Sequence, residues 1–177
     1  MPVLELLRAH HATRLLAFER ENRDYFALSI SDRGDEYFDQ FDERLAALLA
    51  EQGETGASYV AVTEDGSVVG RFNLYFVEDG VANLGYRVAR RVAGRGVATE
   101  CVRELCGLAA SQYAMTTIRA ATAQANVASQ RVLEKAGFKR EAYLRSRLPG
   151  LDGRRNDDVQ FALVAEDLLT EGPRLDG

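Results

Sequence analysis

The spacing of apolar positions changes several times along the chain, and each change marks an element. Val3 to Leu7 can form a strand, and Ala12 to Glu21 carries Leu15, Leu16 and Phe18 at helical spacing. From Asp35 to Glu51, the residues Phe38, Phe41, Leu45 and Leu48/Leu49 fall at steps of three and four, which predicts a single amphipathic helix. Ser58 to Thr63 is rich in β-branched residues and predicts a strand. The turn Glu64-Asp65-Gly66-Ser67 joins it to Val68–Val77, Asp-Gly being a strong hairpin signal, and Glu78-Asp79-Gly80 repeats the device before Val81–Val88. Three successive strands therefore form an antiparallel meander.

Beyond the meander the pattern alternates. Val97, Cys101, Leu105 and Leu108 step by four, four and three along one face of a helix from Val97 to Tyr113. A strand from Thr117 to Ala123, a helix from Val127 to Ala136, a strand from Phe138 to Arg147 and a last strand from about Val159 to Val164 complete the order, which predicts mixed topology. Pro149 to Gly153 interrupts the final hairpin and is expected to be mobile. The 177 residues suit one domain, expected over 1–170, with 171–177 a frayed tail that has little to bury.

The most informative junction lies where the third meander strand gives way to a helix, at Arg91-Val92-Ala93-Gly94-Arg95-Gly96. Glycines at 94 and 96 remove the Cβ atoms that would hold an anion away from the backbone. The following helix start offers unpaired N–H groups and a partial positive charge, so the junction is a candidate phosphate cradle. A tight strand-to-helix turn with two solvated arginines is the plainer alternative. The dinucleotide fingerprint fits poorly, because Thr99 stands at its third glycine position and no acid follows at the ribose-binding distance; no P-loop Gly-Lys-Ser/Thr is present either.

A second segment, Ala125 to Arg140, reads as a short amphipathic helix stopped by Gly137, with Phe138 opening a new strand. Arg-x-x-Gly-x-Gly at 91 to 96, followed by Asn-x-x-Ser-x-Arg-Val-Leu-Glu-Lys-Ala-Gly-Phe at 126 to 138, resembles the acetyl-CoA-binding core of the GNAT N-acetyltransferases. One helix and one strand separate the two motifs, as in that core. The resemblance extends toward the Rim-type branch of ribosomal-protein N-terminal acetyltransferases. Glu21-Asn22-Arg23-Asp24-Tyr25-Phe26 resembles its early Glu-Asn-Arg segment, and Asp152-Gly153-Arg154-Arg155-Asn156-Asp157 its late Gly-Arg-Trp-x-Asp turn, with Arg155 in place of the tryptophan and Asp158 where histidine is common. It implies the GNAT fold: an α/β (α+β) domain whose mixed, mostly antiparallel central sheet of six to seven strands is flanked by about four helices.

The resemblance also implies acetyl-CoA as co-substrate, no metal, and direct transfer of the acetyl group to a primary amine. That amine is a protein N-terminal α-amine in the leading version and a polyamine, amino acid or antibiotic in the alternative. A non-catalytic acyl-CoA-binding module is the competing class. Backbone amides from about Gly94 to Ala98 (Gly94, Arg95, Gly96, Val97, Ala98) would hold the diphosphate, Thr99 adding a hydroxyl and the cations Arg91 and Arg95 a screened attraction. The pantetheine arm would lie beside the strand ending at Val88, whose neighbouring backbone N–H groups would stabilise the oxyanion. Asn126 is either a contact to that arm or a helix N-cap, or both at different atoms. Ser129 is the candidate proton donor to the leaving thiolate, against a plain packing role. The strand before the glycine loop offers Asn83, Tyr86 and Arg87 and no carboxylate, so deprotonation of the amine is assigned to ordered water or to an acceptor that needs little help. His10, His11, Glu141 and Asp157 are weaker candidates. Asp24 to Tyr37 and Leu148 to Asp157 are expected to border the acceptor groove, their acidic content suiting a cationic acceptor.

Composition narrows the partners. A formal charge of −5 argues against general nucleic-acid binding. No apolar run approaches the roughly twenty residues of a bilayer span, and Met1 to His11 lacks the features of a signal peptide, so a cytoplasmic location off the membrane is expected. Cys101 and Cys106, five residues apart on one predicted helix, point in different directions and are expected to be core residues in a reducing compartment. Only Lys135 and Lys139 are lysines; the preference for arginine, with abundant alanine, points to a GC-rich bacterial genome. A homodimer is compatible with all of this.

Overall fold

In the computed structural model, residues 1–144 and 158–164 are described. The loop Pro149–Gly153, the turn at Asp152–Asp157 and the tail 171–177 lie outside them. Seven strands form one sheet: β1 (Val3–Leu6), β2 (Gly56–Val62), β3 (Val68–Glu78), β4 (Val81–Val88), β5 (Thr117–Ala123), β6 (Lys139–Leu144) and β7 (Asp158–Val164), in the order β1-β2-β3-β4-β5-β7-β6. The predicted meander is β2-β3-β4, and β1 adds a fourth antiparallel strand through Val3↔Val62 to Leu6↔Tyr59. Neighbours are antiparallel everywhere except at β4 and β5, which α5 (Val97–Tyr113) connects as a crossover and which therefore run parallel.

That parallel ladder is short. It consists of Val81↔Thr117, Ala82↔Ile118 and Asn83↔Arg119. Beyond Asn83, β4 stays with β3 as far as Val88↔Gly70, while β5 stays with β7 through Ala123↔Asp158. The sheet is thus two ladders joined at one end and splayed at the other.

α5 seals one face. Its buried stripe, which includes Val97, Cys101, Val102, Leu105 and Cys106, joins the same core as Phe72, Leu74, Ile118 and Phe161 of the strands. Both cysteines are free and buried, as their place in the helical pattern predicts. Burial pushes the Cys101 thiol up to about 11 and the Cys106 thiol up to about 12, so neither is a nucleophile at neutral pH.

On the other side the helices differ from the sequence pattern. The predicted helix from Asp35 to Glu51 is two, α3 (Asp35–Asp39) and α4 (Phe41–Ala50), broken at Gln40 with φ −102° and ψ 15°. The break turns Tyr37 inward, where its ring meets Phe41 edge-on and its hydroxyl accepts a hydrogen bond from Arg71. A further short helix, α2 (Arg23–Ala27), follows α1 (Ala12–Glu21) after Asn22. With α6 (Val127–Lys135) this gives six α-helices among the described residues, two more than periodicity resolves, because five-residue helices are too short to show a period.

Leu105 is fully buried between α5 and the sheet. Leu105→Ala is expected to cost about 2–5 kcal/mol, read as a lower urea midpoint at unchanged slope.

Candidate active site

The splay leaves part of β4 without a neighbour on one side. The Ala89 N–H donates to Val69 O on β3 at 2.8 Å. Successive amides of an extended strand point to opposite edges, so those of Val88 and Tyr86 point away from β3, toward the gap that β5 has vacated. Two strand amides are thereby aimed into an open wedge, where an extended ligand can pair with them as an added strand.

The glycine loop lies at the open end of that wedge. Gly94 and Gly96 adopt φ +73° and +80°, the left-handed region that L side chains avoid. A Cβ at either would meet no protein atom within 4 Å, so the requirement is conformational, and the space before them is left clear. Gly96 is the N-cap of α5 and offers no side chain, which leaves the first-turn amides of Val97, Ala98 and Thr99 without a side-chain cap. A long helix opening on bare amides is an anion site by construction, and the residues present fit a diphosphate.

α6 closes the opposite wall. Asn126 caps it: its Oδ1 accepts from the Ser129 N–H at 3.2 Å, so only its Nδ2 remains to donate elsewhere. Ser129 Oγ lies 2.8 Å from the Tyr86 hydroxyl, linking α6 to β4 across the wedge. Burial pushes the Tyr86 phenol up to about 12, hydrogen bonding to Ser129 opposing only in part, so the phenol stays protonated at neutral pH.

One cleft of ≈ 390 Å³ collects these groups. Val88, Gly94, Gly96, Val97, Ala98, Thr99, Asn126 and Ser129 all line it, together with Tyr86, Arg87 and residues of α2 and the segment after it, Tyr25, Phe26, Ser29 and Ile30. Arg91 and Arg95 do not. They are exposed on the other side of the loop, where with Glu21 and Asn22 they line a second depression. Among the described residues no carboxylate lines the cleft, whereas Arg87, Arg131 and Lys135 do.

Arg87 belongs to a charge cluster that no local pattern announces. Glu19, 1% exposed beneath α1, is shared by Arg33 at 3.3 Å, Arg71 at 3.3 Å and Arg87 at 3.4 Å. Arg71↔Arg87 is a register pair, which puts both guanidinium groups on the face covered by α1 and α2, opposite Tyr86. Arg33 also stacks over the Tyr37 ring at 4.5 Å and Arg87 over Phe26 at 4.9 Å. The Glu-Asn-Arg segment has its own architecture here. Asn22 donates to Phe18 O and accepts from the Arg90 N–H at 3.0 Å, tying the end of α1 to the entry of the glycine loop. Arg23 holds Asp32 and Asp35, each at 2.8 Å, and draws the Asp32 carboxyl down to about 2.

The weaker base candidates sit elsewhere. His11 is buried, its Nδ1 accepting from the Arg8 N–H and its Nε2 facing Glu5 at 3.0 Å, a capping role at the entry to α1. With Glu5 and His10 it forms a group of possible metal ligands, away from the cleft. Glu141 is exposed on β6 beside Arg119 and accepts from Gln160; Asp157 lies outside the described residues. Of the two segments expected to border the acceptor groove, 148–157 lies outside the described residues; from the other, Tyr25, Phe26, Ser29 and Ile30 line the cleft, while Asp32 and Asp35 are held by Arg23.

Comparison with known proteins agrees with this geometry. The family model of the acetyltransferase (GNAT) domain matches residues 3–139, and the chain belongs to that family. It is therefore an acetyl-CoA-dependent N-acyltransferase of the GNAT type. A probable N-acetyltransferase of Bacillus subtilis, YjcK, is 28% identical over 173 residues, covering 91% of this chain and 92% of its own. Among solved structures, the ribosomal-protein-S5-alanine acetyltransferase of Vibrio fischeri superposes with a TM-score of 0.85 at 19% identity, over 93% of both chains. The spermidine N-acetyltransferase of Vibrio cholerae, solved with CoA and spermine, superposes with a TM-score of 0.81 at 16% identity, over 94% of this chain and 97% of that one. Among the described residues no helix is long and apolar enough to cross a membrane.

Removing one member of a buried ion cluster leaves the others uncompensated. Glu19→Ala is expected to destabilise the fold by about 3–5 kcal/mol, measured by chemical denaturation. Glu141→Ala, on the exposed β6 pair, is expected to fall within about 1 kcal/mol of the parent.

Proposed function

We propose that the chain acetylates a primary α-amine, of the kind found at a protein N-terminus, by direct attack of the neutral amine on the acetyl-CoA thioester. The observation that carries this reading is the wedge, in which two inward-facing β4 amides run on into an uncapped helix start. In this reading the pantetheine arm pairs along Tyr86–Val88, and the diphosphate rests on the amides from Gly94 to Ala98. Thr99 adds its hydroxyl, the Asn126 Nδ2 meets the arm, and Arg91 and Arg95 act through their charge from outside the loop.

The amine nitrogen forms the new C–N bond, the C–S bond breaks, and the departing thiolate takes a proton from the Ser129 hydroxyl. Tyr86, protonated and 2.8 Å away, restores it and regains its own proton from solvent, which balances the one the amine gives up. The amine proton leaves to solvent. Among the described residues no carboxylate lines the cleft, which supports an α-amine, whose pKa of about 8 leaves a useful neutral fraction at physiological pH, over an alkylamine near 10. The likeness to the S5-alanine enzyme supports the same acceptor; the likeness to the spermidine enzyme supports the polyamine alternative. The cationic lining among the described residues favours the first.

The test is thiol release from acetyl-CoA with peptide and polyamine acceptors, alongside calorimetry of acetyl-CoA binding. Gly96→Val is expected to weaken acetyl-CoA binding by about tenfold or more, because a left-handed β-branched residue distorts the loop and its side chain enters the cleared space. Ser129→Ala is expected to lower kcat by about 100-fold with cofactor affinity retained. Acetyl-CoA binding with no acceptor-dependent release of thiol would favour the non-catalytic module instead.

A further inference from the structure

Among the described residues the Glu19 cluster is out of charge balance. Three guanidinium groups share one buried carboxylate at 3.3 or 3.4 Å, Arg33 contacting both of its oxygens and Arg71 and Arg87 one each. Arg71 is 8% exposed and its Nε has no partner. Arginines keep their charge when buried, so the surplus cannot be removed by losing a proton. An excess of buried positive charge is costly unless an anion offsets it, and among the described residues no further carboxylate reaches the cluster. The nearby acids of the same segment, Asp32 and Asp35, are held by Arg23.

One member of the cluster, Arg87, borders the cleft, with Arg33, Arg71 and Glu19 behind it. It does so from the face of the sheet covered by α1 and α2, whereas Tyr86 and Ser129 face the other way. Desolvation, helped by the neighbouring Arg33 and Arg71 charges, lowers the pKa of Arg87. That is the signature of a cation lacking compensation rather than one paired to saturation.

From this we infer that the acceptor carries a carboxylate within a few bonds of its reacting amine, and that Arg87, supported by Arg33 and Arg71, binds it. The inference rests on the transferase reading and assigns its substrate class. The carboxylate can come from a free amino acid or from an acidic first residue of a peptide. In both cases the recognising chemistry is the same: planar guanidinium donors aimed at a carboxylate. A polyamine would bring more positive charge to a wall that already holds a surplus.

Matched acceptors separate the sources. One pair is a tripeptide amide beginning with glutamate against the same peptide beginning with glutamine; the other is β-alanine against β-alaninamide, with spermidine as the cationic control. The carboxylate-bearing member of at least one pair is expected to exceed its amide in kcat/KM by about tenfold, the factor one charge-assisted hydrogen bond supplies. Preference in the first pair only identifies a peptide acceptor; preference in the second only, a free amino acid. Arg87→Gln should collapse the ratio toward one, and it should fold because Glu19 keeps Arg33 and Arg71. Arg33→Gln, at a more exposed position, is the second variant and should narrow the ratio in the same direction. Equal rates within both pairs, or spermidine outpacing every acid, overturns the inference. If no acceptor releases thiol, glutarate is titrated calorimetrically into the protein with CoA present. Saturable binding lost in Arg87→Gln supports the anion site and counts against the transferase reading alone; no binding, or binding indifferent to Arg87, sinks the anion site.

Discussion

Three residue pairs join the two halves of the sheet, and the cleft exists because there is no fourth. After Asn83↔Arg119, each strand keeps its antiparallel partner and abandons its parallel one, β4 following β3 and β5 following β7. Parallel pairing is slightly the less stable per residue, so this is the seam where a sheet of this order parts at least cost. Parting leaves backbone groups on β4 that protein does not satisfy, and an orphan amide facing a closed interior would be expensive. Here it faces a cleft. The same opening lets Tyr86 reach across to Ser129 and lets the glycine loop present its amides to a common space. Site and seam are one feature of the topology.

The Glu19 cluster organises the neighbouring wall of the cleft. It gathers α1, β3, β4 and the segment before α3 around one carboxylate, and Tyr37 and Phe26 add ring faces to the guanidinium groups. Such clusters contribute less to stability than their contact lists suggest, because each charge has lost its water. What this one provides is placement: it fixes Arg87 at the edge of the cleft and holds α2 against it. Asn22 does the same for the glycine loop by joining the α1 terminus to Arg90. The α1–α2 corner is thus connected to both halves of the site.

Elements with a clean period were legible in the sequence. The meander, α5 and α6 follow from alternation and from steps of three and four, and the glycine junction follows from its residue types alone. Eight of the ten residues assigned from motifs line the cleft; Arg91 and Arg95 do not, because a turn built on left-handed glycines sends successive side chains to opposite sides of the loop. The break at Gln40 was hidden, since Phe38 and Phe41 keep helical spacing across it. Tyr86 was visible as a residue but not as a partner of Ser129, 43 positions away. The Glu19 cluster was invisible for the same reason: its contacts to Arg33, Arg71 and Arg87 span 14, 52 and 68 positions, and only the folded register brings them together.

Net charge does not describe the wall of the cleft for a related reason. The acidic content of Asp24 to Tyr37 and of Leu148 to Asp157 suggests a groove suited to a cationic acceptor, and the second segment lies outside the described residues. Folding pairs Asp32 and Asp35 with Arg23 on the exposed side and gathers the arginines of three distant segments around Glu19, of which Arg87 lines the cleft. The choice of cation then matters. A lysine in the half-buried position of Arg87, beside two other cations, would relieve its cost by shedding a proton, and the wall would become neutral. Arginine has no such exit. Whatever is bound there must meet a permanent positive charge, so the selectivity of this wall is set by the one side chain in the protein's repertoire that cannot titrate away.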